Sequence, residues 1–137
     1  EQVLDYSELH EIPADEEIFR EGGPSQRFFI VTKGEIAIYK SVGGGQKRNL
    51  TNLGAGTIFG ELALFDDGPR SATACTTLPT NLMAFDVKKF RTLLENNPVL
   101  AAKFQKQIIR TLCQRLRKTN EKLNHAVVWG FTAQIAS

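Results

Sequence analysis

The sequence predicts a mainly β fold, a sandwich or jelly roll, followed by C-terminal helices. Two observations carry that reading. From Leu9 to Asp86 the chain breaks into short strand-forming runs separated by glycine and proline turns, the texture of a roll rather than of alternating strands and helices. From Val87 onward apolar residues recur every three or four positions, the period of a helix. At 137 residues the chain suits one domain, large enough to bury a core without disulfides or metals.

Taken in order, Glu1–Ser7 reads as the end of a helix, and Leu9–Ile12 as the first strand. A turn at Pro13-Ala14-Asp15 leads to a strand over Glu17–Arg20, and Glu21-Gly22-Gly23-Pro24-Ser25 is a loop by its turn chemistry. Arg27–Thr32 and Glu35–Ser41 form a hairpin bent at Lys33-Gly34, with Ile36, Ile38 and Lys40 on one face and Ala37 and Tyr39 on the other. Gly43-Gly44-Gly45 is the tip of the next hairpin rather than a phosphate loop, because no lysine-serine pair or helix start follows it. Arg48–Leu53 returns, and Gly54-Ala55-Gly56 leads through Thr57-Ile58 into an irregular segment. Ser71–Thr77 and Asn81–Asp86, split by a turn around Pro79, complete the strands.

Val87–Glu95 reads as a short helix stopped by Asn96-Asn97-Pro98. Pro98 suits the first turn of a second helix, expected from about Val99 to about Ala126 or a few residues beyond, with residues 129–137 as a tail. Its seam of Ile109, Leu112, Leu116, Thr119, Leu123 and Ala126 alternates by three and four, the pattern of a helix packing on a partner. Phe104 and Ile108, in the first half, are expected to pack on the barrel instead. Opposite the seam lie Arg110, Arg117, Lys118, Glu121 and Lys122, read as a solvated face rather than a nucleic-acid surface.

Composition narrows the function. Seventeen basic against fifteen acidic residues give a formal charge of +2, too little to argue for nucleic acid binding by this chain. No apolar run approaches the roughly 18 residues of a membrane span, so no transmembrane helix is expected, and the first residues carry no signal-peptide pattern. Cys75 and Cys113 have no metal or disulfide spacing and read as free thiols of a reducing cytosol. The two histidines, His10 and His125, stand at opposite ends, which disfavours a metal-dependent jelly-roll enzyme.

The chemistry concentrates in Phe59-Gly60-Glu61-Leu62-Ala63-Leu64 and in Arg70-Ser71 beyond an acidic turn. Gly60 allows the backbone to approach a ligand closely. Glu61-Leu62-Ala63-Leu64 suit a first helical turn, whose free amides attract an anion. Arg70 supplies a bidentate fork for the same anion, while the Glu61 carboxylate suits a neutral donor such as a ribose hydroxyl. Taken as an isolated pair, Glu61 and Arg70 also read as a salt bridge at a sheet corner.

Phe59–Leu64, Phe65-Asp66-Asp67-Gly68-Pro69 and Arg70-Ser71-Ala72-Thr73 together resemble the phosphate-binding cassette of cyclic nucleotide-binding domains. That family includes the bacterial catabolite activator protein and the regulatory subunit of cyclic AMP-dependent protein kinase. The similarity runs from about Leu9 to about Val128. It implies an eight-stranded double-stranded β-helix, a jelly roll over about 9–86, then a short and a long helix over about 87–128. It implies that Glu61 holds the ribose 2′-hydroxyl and Arg70 the cyclic phosphate, with the backbone of Gly60, Leu62 and Ala63 lining both. Arg115–Lys122 resembles the helix segment with which the catabolite activator protein reaches its ligand, implying a lid role for Thr119 and Asn120 and a further contact by Arg115. An asparagine amide can match the adenine N6/N7 edge, although that family member has threonine and serine at the two positions, so Asn120 is a departure. In the family, serine or alanine after the phosphate arginine tends to accompany cyclic AMP, so Ser71 leans to cyclic AMP, with cyclic GMP as the alternative.

The expected function is therefore a cytoplasmic cyclic nucleotide receptor module, without catalysis, metal or cofactor, dimerising through its C-terminal helix. One alternative is the ligand-sensing half of a transcription regulator whose DNA-binding domain lies outside this chain. A hydrolase of the cyclic phosphate is the disfavoured third reading, since neither histidine lies near the cassette.

Overall fold

A computed structural model describes the backbone from residue 7 to 136 and the side chains from 7 to 122. Eight antiparallel strands form two four-stranded sheets. One is ordered β1 (Ser7–Ile12), β8 (Thr80–Asp86), β3 (Arg27–Lys33), β6 (Ile58–Phe59); the other β2 (Glu17–Phe19), β7 (Thr73–Thr76), β4 (Ile36–Ser41), β5 (Lys47–Leu53). This is the jelly roll expected from the strand punctuation, followed by a short helix, α1 (Val87–Asn96), and a long one, α2 (Pro98–Ala136).

Alternation along β3 explains both layers of packing. Phe29 and Val31 face inward and join Ile36, Phe59, Ala74 and Leu82 in the core between the sheets. Phe28 points the other way, where its ring stacks on Phe85 at 4.8 Å and meets the edge of Phe90 of α1 at 5.0 Å. Each such buried side chain contributes about 1.5–3 kcal/mol relative to exposure. Gly34 closes the β3–β4 bend with φ 102°, and a Cβ there would fall 2.4 Å from Thr80 Oγ1 and 2.6 Å from the Pro79 carbonyl oxygen. Both the positive φ and the lack of space require glycine.

Several boundaries differ from the sequence expectation. Ser7, expected in a helix, opens β1, and residues 1–6 lie outside the described residues. Ser71, Ala72 and Thr77 fall outside β7, although the bond of Thr77 extends the line of the β4–β7 pairing. The Gly22 amide donates to the Arg70 carbonyl at 2.8 Å, the Arg70 amide to the Gly23 carbonyl at 2.9 Å, and the Thr77 amide to the Glu35 carbonyl at 3.1 Å. The β4–β5 register shifts between Ile38 and Tyr39, so the simple two-face alternation expected for β4 does not persist along its length. Ile36 and Ala37 are both fully buried.

The chain divides into two compact units between Leu93 and Leu94. In the C-terminal unit α2 is 39 residues long and replaces the expected tail with helix as far as Ala136. A single interior glycine such as Gly130 costs only about 1 kcal/mol, and no proline follows it to stop the helix. On α2, Ile108 is buried and Phe104 half-buried, while Ile109 and Leu116 of the seam stand exposed and Leu112 is half-buried. Thr119 of the seam is exposed as well, while Leu123 and Ala126 lie outside the described side chains, as do His125, Trp129 and Phe131.

Candidate functional site

Gly60 follows the two-residue strand β6 and takes φ 73°, ψ 10°, a left-handed conformation that side chains resist. A Cβ there would lie 2.7 Å from Arg70 Nη1. Glycine thus lets the guanidinium dock on the backbone, and the structure brings Gly60 and Arg70 together as the sequence predicts. After Gly60 the expected helical turn is a single 3₁₀ turn, Glu61–Leu64. It stops there because the Phe65 and Asp66 amides both donate to the Leu62 carbonyl, and Asp66 Oδ1 then accepts from the Gly68 amide at 2.9 Å. A turn this short lacks the aligned peptide dipoles of a full helix, so the main positive charge of the site is Arg70.

Arg70 is 7% exposed. Its Nη1 donates to the Gly60 carbonyl at 3.3 Å and its Nη2 to the Arg27 carbonyl at 2.5 Å. The guanidinium carbon lies 4.1 Å from the centre of the Phe19 ring. Its Nε is buried with no hydrogen-bond partner among the described residues. Burial pushes its pKa below the ordinary arginine value, yet the group stays charged. Carbonyl dipoles and an aromatic face hold this cation without supplying a full negative charge. A buried donor left over beside a buried cation is suited to an anion.

The other predicted residues have distinct environments. Glu61 is 1% exposed and Ala63 5%, whereas Leu62 is 48% exposed and Ser71 is exposed, its carbonyl accepting from Lys40 Nζ at 3.0 Å. A cavity of about 520 Å³ opens along β1, β2 and the β2–β3 loop, lined by Arg70, Phe19, Arg27, Gly23 and others. Of the predicted site residues Arg70 lines it; Gly60, Glu61, Leu62, Ala63 and Ser71 do not. Sequence reasoning missed Phe19 and the Arg27 carbonyl. Phe19 carries only the signal of an apolar strand residue, and a backbone acceptor carries none.

The sequence model of the cyclic nucleotide-binding domain matches residues 9–97. The chain belongs to this family. It is similar to the CRP-like cAMP-activated global transcriptional regulator of Mycobacterium tuberculosis, 29% identical over 126 residues, covering 92% of this chain and 54% of that protein. It is also similar to the cyclic AMP receptor protein of Thermus thermophilus, 31% identical over 122 residues, covering 89% of this chain and 55% of that protein. The chain therefore spans about half the length of these curated relatives. Among solved structures, the Thermus thermophilus catabolite activator protein superposes with a TM-score of 0.74 at 31% identity, over 90% of this chain and 56% of that one. The regulatory domain of Toxoplasma gondii PKA, solved with cAMP, gives 0.64 at 28% identity, over 77% and 41%.

In this cyclic nucleotide-binding domain the segment after Gly60 is tied to α1 by a side chain the sequence reading did not single out. Arg91 donates from Nε to the Leu64 carbonyl at 3.0 Å, and from Nη2 to the Ala63 carbonyl at 2.6 Å and to Asp67 Oδ1 at 3.1 Å. It thereby satisfies carbonyls that end the 3₁₀ turn. Arg91→Met keeps the aliphatic stem but loses these bonds, and is expected to cost about 1–3 kcal/mol of stability. A urea midpoint equal to that of the parent protein would show that the bonds contribute nothing.

The expected lid residues lie in the C-terminal unit. Thr119 and Asn120 are exposed on α2, and Thr119 Oγ1 donates to the Arg115 carbonyl one turn back at 2.9 Å. Arg115 itself is half-buried. No helix among the described residues is long and apolar enough to cross a membrane.

Proposed function

We propose that this domain is a cyclic AMP receptor without catalysis of its own, working in the cytosol. The observation that carries the reading is Arg70, a buried cation whose Nε has no partner among the described residues, beside a glycine whose missing side chain makes room for it. Arg70 holds the ring phosphate, Glu61 the ribose 2′-hydroxyl, and the backbone of Gly60, Leu62 and Ala63 lines the ligand. Ser71 favours cyclic AMP over cyclic GMP. Thr119 and Asn120 close over the base, so ligand prefers the closed state and movement of α2 is the output. Two copies pair through α2, where Ile109 and Leu116 stand exposed seven residues apart.

A second reading is the ligand-sensing half of a transcription regulator. It is favoured by the relatives, named as transcriptional regulators, of which this chain spans about half. In that reading the partner in DNA recognition is a further domain, and this chain alone binds no nucleic acid. Calorimetry with cyclic AMP, cyclic GMP and linear AMP tests the shared core of both. Binding is expected to be tightest for cyclic AMP, weaker for cyclic GMP and absent for linear AMP. A protein that binds none of the three is not a receptor of this kind.

A further inference from the structure

Arg70 stands at a boundary between two environments. On one side its guanidinium touches Gly60 and the cassette; on the other it forms part of the wall of the open 520 Å³ cavity, together with Phe19 and Arg27. A guanidinium surrenders hydration when it is buried. Arg70 lines a cavity open to solvent, so a guanidinium rotated off the two carbonyls would regain hydration there. Two carbonyl bonds oppose that rotation, and so does the aromatic face at 4.1 Å.

We propose that Phe19 is a positioning residue for the phosphate: its ring holds the Arg70 guanidinium at the cassette, and out of the cavity, without neutralising it. A carboxylate in the same place would also hold the arginine, but it would cancel the charge and compete with an incoming anion. A ring quadrupole attracts the cation and leaves its full charge for the ligand. The ring itself is well fixed. Its centroid lies 6.1 Å from that of Phe29 and 5.9 Å from that of Phe59, and those two stack at 5.1 Å. Phe59 directly precedes Gly60, so one cluster of three rings sets both the arginine's support and the glycine it docks on. Without the aromatic face the guanidinium divides its time between cassette and cavity. The apparent dissociation constant then rises in inverse proportion to the competent fraction.

This inference rests on the cyclic AMP reading, and the experiment separates the two. Cyclic AMP binding to the full chain is measured by calorimetry for the parent, Phe19→Leu, Phe19→Tyr and a chain carrying a ring-trifluorinated phenylalanine at position 19. The fluorinated ring keeps its shape and loses its quadrupole, so it reports on the interaction even where Phe19→Leu folds poorly. Phe19→Leu and the fluorinated ring are expected to weaken binding about threefold to thirtyfold, and Phe19→Tyr to restore near-parental affinity. In the ligand-free protein, the Arg70 Nε–H resonance is expected to be single and slowly exchanging in the parent and Phe19→Tyr. It should be averaged and solvent-exchanging in the other two. Parental affinity in the fluorinated protein, or an Arg70 resonance that ignores the ring, overturns the positioning role. A parent chain that binds no cyclic AMP overturns the receptor reading instead, and the resonance then decides the arginine–ring contact by itself.

Discussion

Arg70→Ala is expected to cost about 2–5 kcal/mol of cyclic AMP binding, the scale of removing one member of a buried charge pair. That is a rise in Kd from roughly thirtyfold to several thousandfold. The physical reason is the state of the guanidinium before ligand arrives. It is already desolvated at 7% exposure, already anchored on the Gly60 and Arg27 carbonyls, and has Nε uncommitted. Its attraction to a phosphate is therefore not spent on reorganisation. The ligand-free protein should unfold at nearly the parental urea concentration, because the substitution removes a desolvation cost together with the hydrogen bonds. Arg70→Lys is expected to fall close to Arg70→Ala, since a compact ammonium cannot span both carbonyls and still present a fork. Calorimetry returning the parental affinity for either variant would remove Arg70 from the phosphate site.

The parts of this arrangement legible in the sequence were those encoded locally. Alternation and turn residues specify the strands, and Gly60, Glu61 and Arg70 announce themselves by spacing within one dozen residues. The partners that give Arg70 its character come from Phe19 and Arg27, 51 and 43 positions earlier in the chain. They meet it only because β2 and the start of β3 close around the cassette. The Arg27 contribution is a carbonyl, which any residue supplies, so no side-chain pattern could mark it. Arg91 was equally silent, since a cation on a short amphipathic helix reads as a solvated side chain until the 3₁₀ turn is seen to end against it. The end of α2 was misjudged for an energetic reason. An interior glycine such as Gly130 costs little, and the run past it holds no stronger breaker.

Phe59→Ala is the substitution expected to cost most stability, about 3–5 kcal/mol, a large fraction of the roughly 5–15 kcal/mol that holds a domain together. Phe59 is 2% exposed, stacks on Phe29 and meets Phe19 at a tilt. It also makes up half of β6, which pairs with β3 through Phe29 with Phe59 and Ile30 with Ile58. Removing the ring opens a cavity in the core and slackens the strand from which the cassette hangs. A urea titration within 1 kcal/mol of the parent would show that the stack relaxes to fill the space. Ligand then separates packing from recognition. Cyclic AMP at about 100 times Kd adds about 2.7 kcal/mol to any variant that still binds it. Phe59→Ala should regain much of its lost midpoint when ligand is supplied at 100 times its own Kd. Arg70→Ala, nearly parental without ligand, should gain almost nothing at the concentration that rescues Phe59→Ala. If ligand stabilises both variants equally, the energy of recognition does not pass through the guanidinium, whatever the core contributes.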